Sequence, residues 1–441
     1  MLFRSGGTVT ASDLRIGHNA GAYRATRDSG EKRRNLALTV RGGTLTFGNT
    51  YTPADSQGYF NGTSTLNLYG GTIKTTGQYF NLSQSKTTKN TEYGVAKTVV
   101  NIYGGMFTNT VTELKQNPGG AYNIDINLYG GDFAWTAPFK FDGGQSGFSA
   151  NIRMSGGTFA APYIQRNYSG CSINFYWNGG TLRPTQDGTS FKMNNHAWNS
   201  NIVSTNGAAF DIPGANIFTL NQAFAHDPVL GTEEDGGIRK CGTGTLVMSV
   251  ANTCTGPCVV ESGVMRPALA AAVPGGIVLA GGTLDCNGID FTVPYLKGAG
   301  GAAVNGSITV DGVLASLDAT MTNAPYATVA NLAFGANSTV SCPIAQTENG
   351  WVAPYFRVTG SCTGKMVLDF GLANDVKLPT GLRVKVAEYT SDVTSFPTVT
   401  GVNYGISKRR FFTKETETDA DTGVISVYAV LCPAGTVMTF R

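Results

Sequence analysis

The sequence predicts an all-β chain wound as a parallel β-helix, and three observations carry that expectation. A Gly-Gly dipeptide recurs between the same kinds of flanking residue at an interval of about one solenoid coil. The residues before each dipeptide alternate apolar with polar, the period-2 mark of a half-buried strand. Glycine, at 58 of 441 residues, stands at about twice its usual share, while charged residues make up only 14% against the roughly 25% usual for soluble chains. That balance suits an extracellular β protein. The net charge of +3 is too small to imply nucleic acid or an anionic membrane as an obligatory partner, and no nucleic-acid partner is expected.

Six segments share one order of residues: apolar, polar, apolar, variable, Gly, Gly, any, apolar. They run from Leu38 to Leu45, Leu66 to Ile73, Val100 to Phe107, Ile126 to Phe133, Ile152 to Phe159 and Phe175 to Leu182. The glycine pairs are Gly42-Gly43, Gly70-Gly71, Gly104-Gly105, Gly130-Gly131, Gly156-Gly157 and Gly179-Gly180, at intervals of 28, 34, 26, 26 and 23 residues. In each segment a short strand points its apolar residues inward. The glycines then turn a corner, because they reach positive φ without steric cost and let neighbouring backbones lie close. An apolar residue (Ile73, Phe107, Phe133, Phe159 or Leu182) returns to the core. One coil cannot bury its apolar face alone, so the coils are expected to stack. An antiparallel sandwich would turn every 8 to 12 residues or so with varied turn types, which one dipeptide at a longer interval does not match. The interval differences are expected as loops, with Ser83 to Lys97 projecting most.

The sequence divides into residues 1–205, carrying these repeats, 206–300, and a β-rich C-terminal region, 301–441. In the middle part, Ile238-Arg239-Lys240-Cys241-Gly242-Thr243-Gly244-Thr245-Leu246-Val247-Met248-Ser249 opens a tighter unit. Asn252-Thr253-Cys254-Thr255-Gly256 follows, and then Val259-Val260-Glu261-Ser262-Gly263-Val264-Met265. This segment, to Arg266, resembles the autotransporter-associated β-strand repeat, also called the passenger-associated transport repeat, with Gly242, Gly244, Asn252, Gly256 and Gly263 in register. Cys254 replaces the usual Tyr, Pro257 follows where Gly is common, and Met265 replaces Leu. The resemblance implies a β-helical passenger region of a large exported bacterial surface protein, linked to transport across the envelope and carrying no catalytic residues. Ile277 to Leu284 repeats the Gly-Gly mark at Gly281-Gly282, so the solenoid is expected to resume past the unit. Beyond Ser307, runs such as Met366 to Phe370, Leu382 to Ala387 and Val424 to Val430 predict irregular final coils or a β-rich cap. Polar stretches such as Asp318 to Asn323 and Thr413 to Asp421 argue against outer-membrane barrel strands.

No run reaches the ~18 apolar residues of a membrane-spanning helix. Because the chain opens on Gly6-Gly7-Thr8-Val9, already the repeat mark, its natural start is expected upstream, and a secreted or cell-surface location is expected. Eight cysteines, Cys171, Cys241, Cys254, Cys258, Cys286, Cys342, Cys362 and Cys432, are too few for a disulfide-dense scaffold. Cys254 and Cys258 have no second pair or flanking His to complete a zinc site, so no metal or cofactor is expected.

Parallel β-helices also carry polysaccharide lyases and hydrolases, which need convergent carboxylates or a base beside Ca²⁺ ligands. The repeat strands are poor in acids. Glu233-Glu234-Asp235 reads as a solvated turn, and His18, in Gly17-His18-Asn19, is a lone histidine. Basic runs at Arg24, Arg27, Lys32, Arg33 and Arg34, and at Lys408-Arg409-Arg410 beside Phe411 and Phe412, give at most weak attraction to acidic polymers. Outward rows of Asn67, Asn101 and Asn127 with Tyr69, Tyr103 and Tyr129 offer a carbohydrate-binding face as one reading. The preferred reading is ladders that stabilise the coil surface without a ligand. The expected function is therefore a non-catalytic structural or adhesive surface protein, with a polysaccharide-binding or polysaccharide-degrading β-helix as the alternative.

Overall fold

The computed structural model describes residues 2–3, 7–15, 35–51, 54–55, 63–77, 80–81, 84–85, 96–109, 122–141, 148–166, 172–189, 200–318, 320, 323–348, 350–370, 379, 381–390, 398–403 and 412–431. His18, the basic runs at 24–34 and 408–411, Cys171, Cys432 and most of the 83–97 loop lie outside them. The described residues form β-strands, with two short 3-10 turns, Pro228–Leu230 and Ala270–Ala272, and no helix long and apolar enough to cross a membrane. The predicted parallel β-helix is the observed fold.

The chain divides into two compact units: Met1–Ile238 with Asn252–Gly256, and Arg239–Ala251 with Pro257–Arg441. In the first, nine parallel strands form one sheet: Leu2–Phe3, Asn35–Val40, Thr63–Leu68, Ala96–Ile102, Tyr122–Leu128, Phe148–Met154, Ser172–Trp177, Ser200–Val203 and Ala225–His226. Its register places Leu38, Leu66, Val100, Ile126, Ile152 and Phe175, the first residues of the six sequence segments, in one column. After each corner a second ladder begins, through Thr44–Tyr51, Thr72–Thr75, Met106–Asn109, Asp132–Ala134, Thr158–Ala161 and Thr181–Pro184. Here Ile73, Phe107, Phe133, Phe159 and Leu182 stack in register, at most 2% exposed. Phe107, Phe133 and Phe159 meet edge to face at 5.5 and 5.0 Å, the favoured geometry for aromatic pairs.

The corners explain why glycine occurs there twice. In Gly43, Gly71, Gly105, Gly131 and Gly157 φ lies between 66° and 79°, a region that other residues enter at a cost. Each carbonyl then accepts from the residue that opens the next coil's strand: Thr72, Met106, Asp132, Thr158 and Thr181, at 2.8 to 2.9 Å. In the pairs at Gly70, Gly104, Gly130 and Gly156, which have a preceding described coil beneath them, the first glycine is fixed by packing instead. A Cβ on Gly104 or Gly130 would stand 2.8 or 2.6 Å from the carbonyl oxygen of Tyr69 or Tyr103 in the preceding coil. At Gly179-Gly180 the roles exchange: Gly179 takes the positive φ, 106°, and Gly180 packs on Met154.

The second unit winds more tightly. Thr245, Val264, Thr283 and Ala302 align through one ladder, and Cys258, Ile277 and Leu296 through another, each step covering 19 residues. The segment expected as a unit inserted into the solenoid is therefore the start of this 19-residue series, which runs on through Gly281-Gly282. The coil from Cys258 carries two strands, Cys258–Val260 and Val264–Pro267, and a third ladder joins at Asp290–Val293, which pairs with Ser307–Val310. Parallel pairing continues through Ala327–Phe334, Cys362–Asp369 and Thr398–Asn403. It ends where Ile425–Leu431 adds antiparallel to Arg383–Tyr389, and Phe412–Thr418 to Ile425–Leu431. Final coils and cap are thus both present. Lys414, Glu415 and Glu417 project from that last strand, and such charges discourage further edge pairing.

Replacing Gly131 by Ala should destabilise the first unit by about 2 kcal/mol or more, since the methyl meets the carbonyl of Gly105 at a positive φ. Gly42→Ala, with nothing within 4 Å of the added carbon, should cost under about 1 kcal/mol. Urea midpoints of the two variants followed by circular dichroism check this, and equal losses would refute the corner argument.

Candidate functional site

Two groups of side chains stand out as candidates for function: the ladders on the outer face of the first unit, and the polar cluster where its nine-stranded sheet ends. In the ladders, Asn67, Asn101 and Asn127 occupy equivalent places in three consecutive coils. Asn101 Nδ2 donates to Asn67 Oδ1 at 2.8 Å and Asn127 Nδ2 to Asn101 Oδ1 at 2.9 Å. A second row runs beside it: Asn151 donates to Asp125, Asn174 to Asn151, and Ser200 to Asn174. Asp125 is also paired with Lys97 at 2.7 Å and Arg153 at 3.1 Å. Burial pushes its carboxyl up, but the bonds from Lys97, Asn151 and Arg153 outweigh this and hold it below the usual range.

Two residues after each ladder Asn comes a tyrosine. Tyr69 and Tyr103 stack with centroids 4.5 Å apart and planes 7° from parallel, and Tyr103 and Tyr129 with centroids 4.9 Å apart. The Arg41 guanidinium covers the outer face of Tyr69 at 4.4 Å. Neither face of Tyr69 or Tyr103 is therefore open to a sugar ring, and what these residues show to solvent is ring edge and hydroxyl. The geometry agrees with the ladder reading: the rows satisfy one another.

In the cluster, Asp235 is 3% exposed, although Glu233 and Glu234 beside it are open to solvent. The expected solvated turn is thus corrected at its last residue, which turns inward because five donors wait for it. Oδ1 accepts from the backbone N–H of Gly237 and of Gly256, both at 2.9 Å. Oδ2 accepts from the Thr255 N–H at 2.7 Å, the Thr255 hydroxyl at 3.1 Å and His226 Nδ1 at 2.9 Å. His226 Nε2 faces the Gly231 carbonyl at 3.2 Å, so both ring nitrogens meet acceptors and the doubly protonated ring fits. The bond to Asp235, reinforced by Gly231 and by the charge of Asp227, raises the His226 pKa. Burial raises that of Asp235, but the N–H of Thr255, His226 and the N–H groups of Gly237 and Gly256 overcome it and leave the carboxyl below its usual range.

A threonine, a histidine and an aspartate invite comparison with a nucleophile relay. In a relay the hydroxyl faces one ring nitrogen and the acid the other. Here Thr255 and Asp235 share the Nδ1 side, while Nε2 is held by a carbonyl, so the ring is a clamp and not a base. Sequence reasoning missed this cluster because His226 and Thr255 lie 29 residues apart and meet only through coiling.

The remaining marks of the 238–266 segment also have structural tasks. Lys240 is fully buried, and its ammonium donates to the carbonyls of Cys241, Gly242 and Ser262 at 2.6, 2.8 and 3.2 Å, one for each N–H. Asn252 Oδ1 caps the Phe224 N–H at 3.0 Å. Gly242 and Gly263 take φ of 71° and 64°, Gly244 presents its carbonyl to the Val264 N–H at 3.0 Å, and a Cβ on Gly256 would collide with Asp235. Cys254 and Met265 are buried, 2% and 0% exposed, so both substitutions keep an apolar side chain in the core.

Two other buried carboxylates are likewise engaged: Asp285 by Arg266, Asn305 and the Asn287 N–H, and Glu388 by Arg357 and Lys385. Six cysteines among the described residues are free, and burial pushes the thiols of Cys254, Cys286, Cys342 and Cys362 up to about 12, with nearby carboxylates adding to it at Cys254 and Cys286. No group of three or more potential metal ligands occurs among the described residues. No protein-family model matches the chain, and no curated protein matches it.

The cluster makes stability depend on pH in both directions. Folding favours charged His226, so its contribution is complete below the ordinary 6.5 and fades as pH rises through the raised folded value. Folding favours ionised Asp235, whose contribution is complete above the ordinary 3.8 and fades as pH falls through the lowered folded value. Melting temperature followed against pH should decline on the alkaline side in the native chain, and His226→Gln should flatten that decline. Asp235→Ala, which strands buried N–H groups at Gly237 and Gly256, should cost about 3 kcal/mol or more at neutral pH, read from urea unfolding.

Proposed function

We propose that the chain is an exported cell-surface β-helix of autotransporter passenger type, whose role is structural or adhesive and does not include catalysis. The observation that carries this reading is the use made of the 238–266 marks: Lys240, Gly242, Gly244, Asn252, Gly256 and Gly263 each serve coil geometry or backbone hydrogen bonding, as a structural repeat requires. The stacked coils supply a support with a polar outer surface, and the Asn and Tyr rows are satisfied within it. Adhesion then belongs to residues that loops present, and a scaffold of this kind tolerates loops of different length between coils.

Proteolysis of intact cells that make the protein tests the location. Added protease should remove the chain while a cytosolic marker remains whole, and full protection until lysis would sink the reading. Catalysis is tested separately with pectin, polygalacturonate and other acidic polysaccharides. No new reducing ends or unsaturated products should form, and turnover abolished by a point substitution would replace the structural reading with an enzymatic one.

A further inference from the structure

From the Tyr69, Tyr103 and Tyr129 column we infer an oxidative cross-linking site, at which a peroxidase-type one-electron oxidant joins neighbouring coils through a dityrosine bond. Three features of the column lead there. The rings are exposed, at 43, 41 and 49%, so a small oxidant or the edge of a haem peroxidase reaches them. They are held nearly parallel, 7° apart, with centroids 4.5 and 4.9 Å apart, so each phenol ring lies in stacking contact with the next. The parallel register of the strands beneath, Leu68 beside Ile102 and Ile102 beside Leu128, keeps the three tyrosines one coil apart in a single column. A radical formed on Tyr103 has a partner ring on either side and needs no encounter through solution, which is the advantage of reactants held in place.

The chemistry balances with hydrogen peroxide as terminal oxidant. Each of two phenols loses one proton and one electron. The two radicals couple through their ortho carbons, and each ring regains aromaticity by moving its ortho hydrogen to oxygen. In sum two aromatic C–H bonds are replaced by one C–C bond, and the two hydrogens leave with the peroxide as two molecules of water. The product spans coils 34 or 26 residues apart in sequence, the separations found along the adjacent Asn ladder. A covalent strut across a column held otherwise by hydrogen bonds and packing locks the coil spacing. This inference rests on the column alone and stands whether or not the chain is exported.

The test treats the dilute full-length chain with a haem peroxidase and limiting hydrogen peroxide. Dityrosine fluorescence should rise, the monomer should lose two hydrogen atoms in mass, and peptide mapping should place the bond at Tyr69–Tyr103 or Tyr103–Tyr129. The yield per chain should not change with protein concentration. Tyr103→Phe keeps the ring stack but removes the central phenol, and it should lower the intramolecular product about tenfold, because Tyr69 and Tyr129 are not neighbours. Tyr176→Phe, exposed beside Arg153 but outside the column, should leave it unchanged. The oxidised chain should also unfold at higher urea than the untreated one. Cross-links that map elsewhere, form only between molecules, or survive Tyr103→Phe undiminished would overturn the inference, with circular dichroism confirming that the variants remain folded.

Discussion

Close approach of consecutive corners is the constraint from which the first unit follows. A parallel ladder demands one strand spacing along its whole length, so any corner that held a side chain against its neighbour would force the coils apart. The Gly-Gly pair removes the two Cβ atoms that would do so. It also bends the backbone so that the second glycine's carbonyl meets the next coil's first N–H. Once that contact repeats, the rest falls into line. Leu66, Val100 and Ile126 share one inward column, Ile73, Phe107 and Phe133 share another, and polar residues between them are left to form rows outside. The described strands keep this register although consecutive coils are separated by 34 residues in one case and 26 in the next.

Buried polar groups take over where this regularity ends. At Ala225–His226 the nine-stranded sheet stops, and Asp235 collects the N–H groups of Thr255, Gly237 and Gly256 that no further strand of that sheet receives. In the second unit, Lys240 does the complementary work for carbonyls at a tight corner, since an ammonium has three donors and finds three acceptors. Both charges remain acceptable inside because every donor or acceptor around them is matched. Their place in the fold accounts for them as partners of backbone groups.

The surface rows show how the same side chains carry two meanings until geometry is known. As a sequence, Asn-x-Tyr repeated three times fits a sugar-binding strip as well as a self-satisfied ladder. The geometry shows amides bonded to their neighbours at 2.8 and 2.9 Å, and Tyr69 and Tyr103 covered on both faces. What the rows do offer is order: identical groups held one coil apart, the feature on which the cross-linking inference rests.

By itself the sequence determined the architecture and its phase. The period-2 strands and Gly-Gly marks named the inward columns residue by residue, because a parallel stack repeats one local rule and every coil states it again. It also placed the change of coil type near Ile238 and the β-rich end beyond Ser307. Tertiary structure alone decided that residues 238–266 begin a 19-residue series, that parallel coils end in antiparallel pairing with Ile425–Leu431 between Arg383–Tyr389 and Phe412–Thr418, and that Asp235 is buried on His226 and Thr255. Those facts depend on which residues meet after a full turn. The number of residues in each turn varies with its loops, so sequence spacing alone does not specify the meeting.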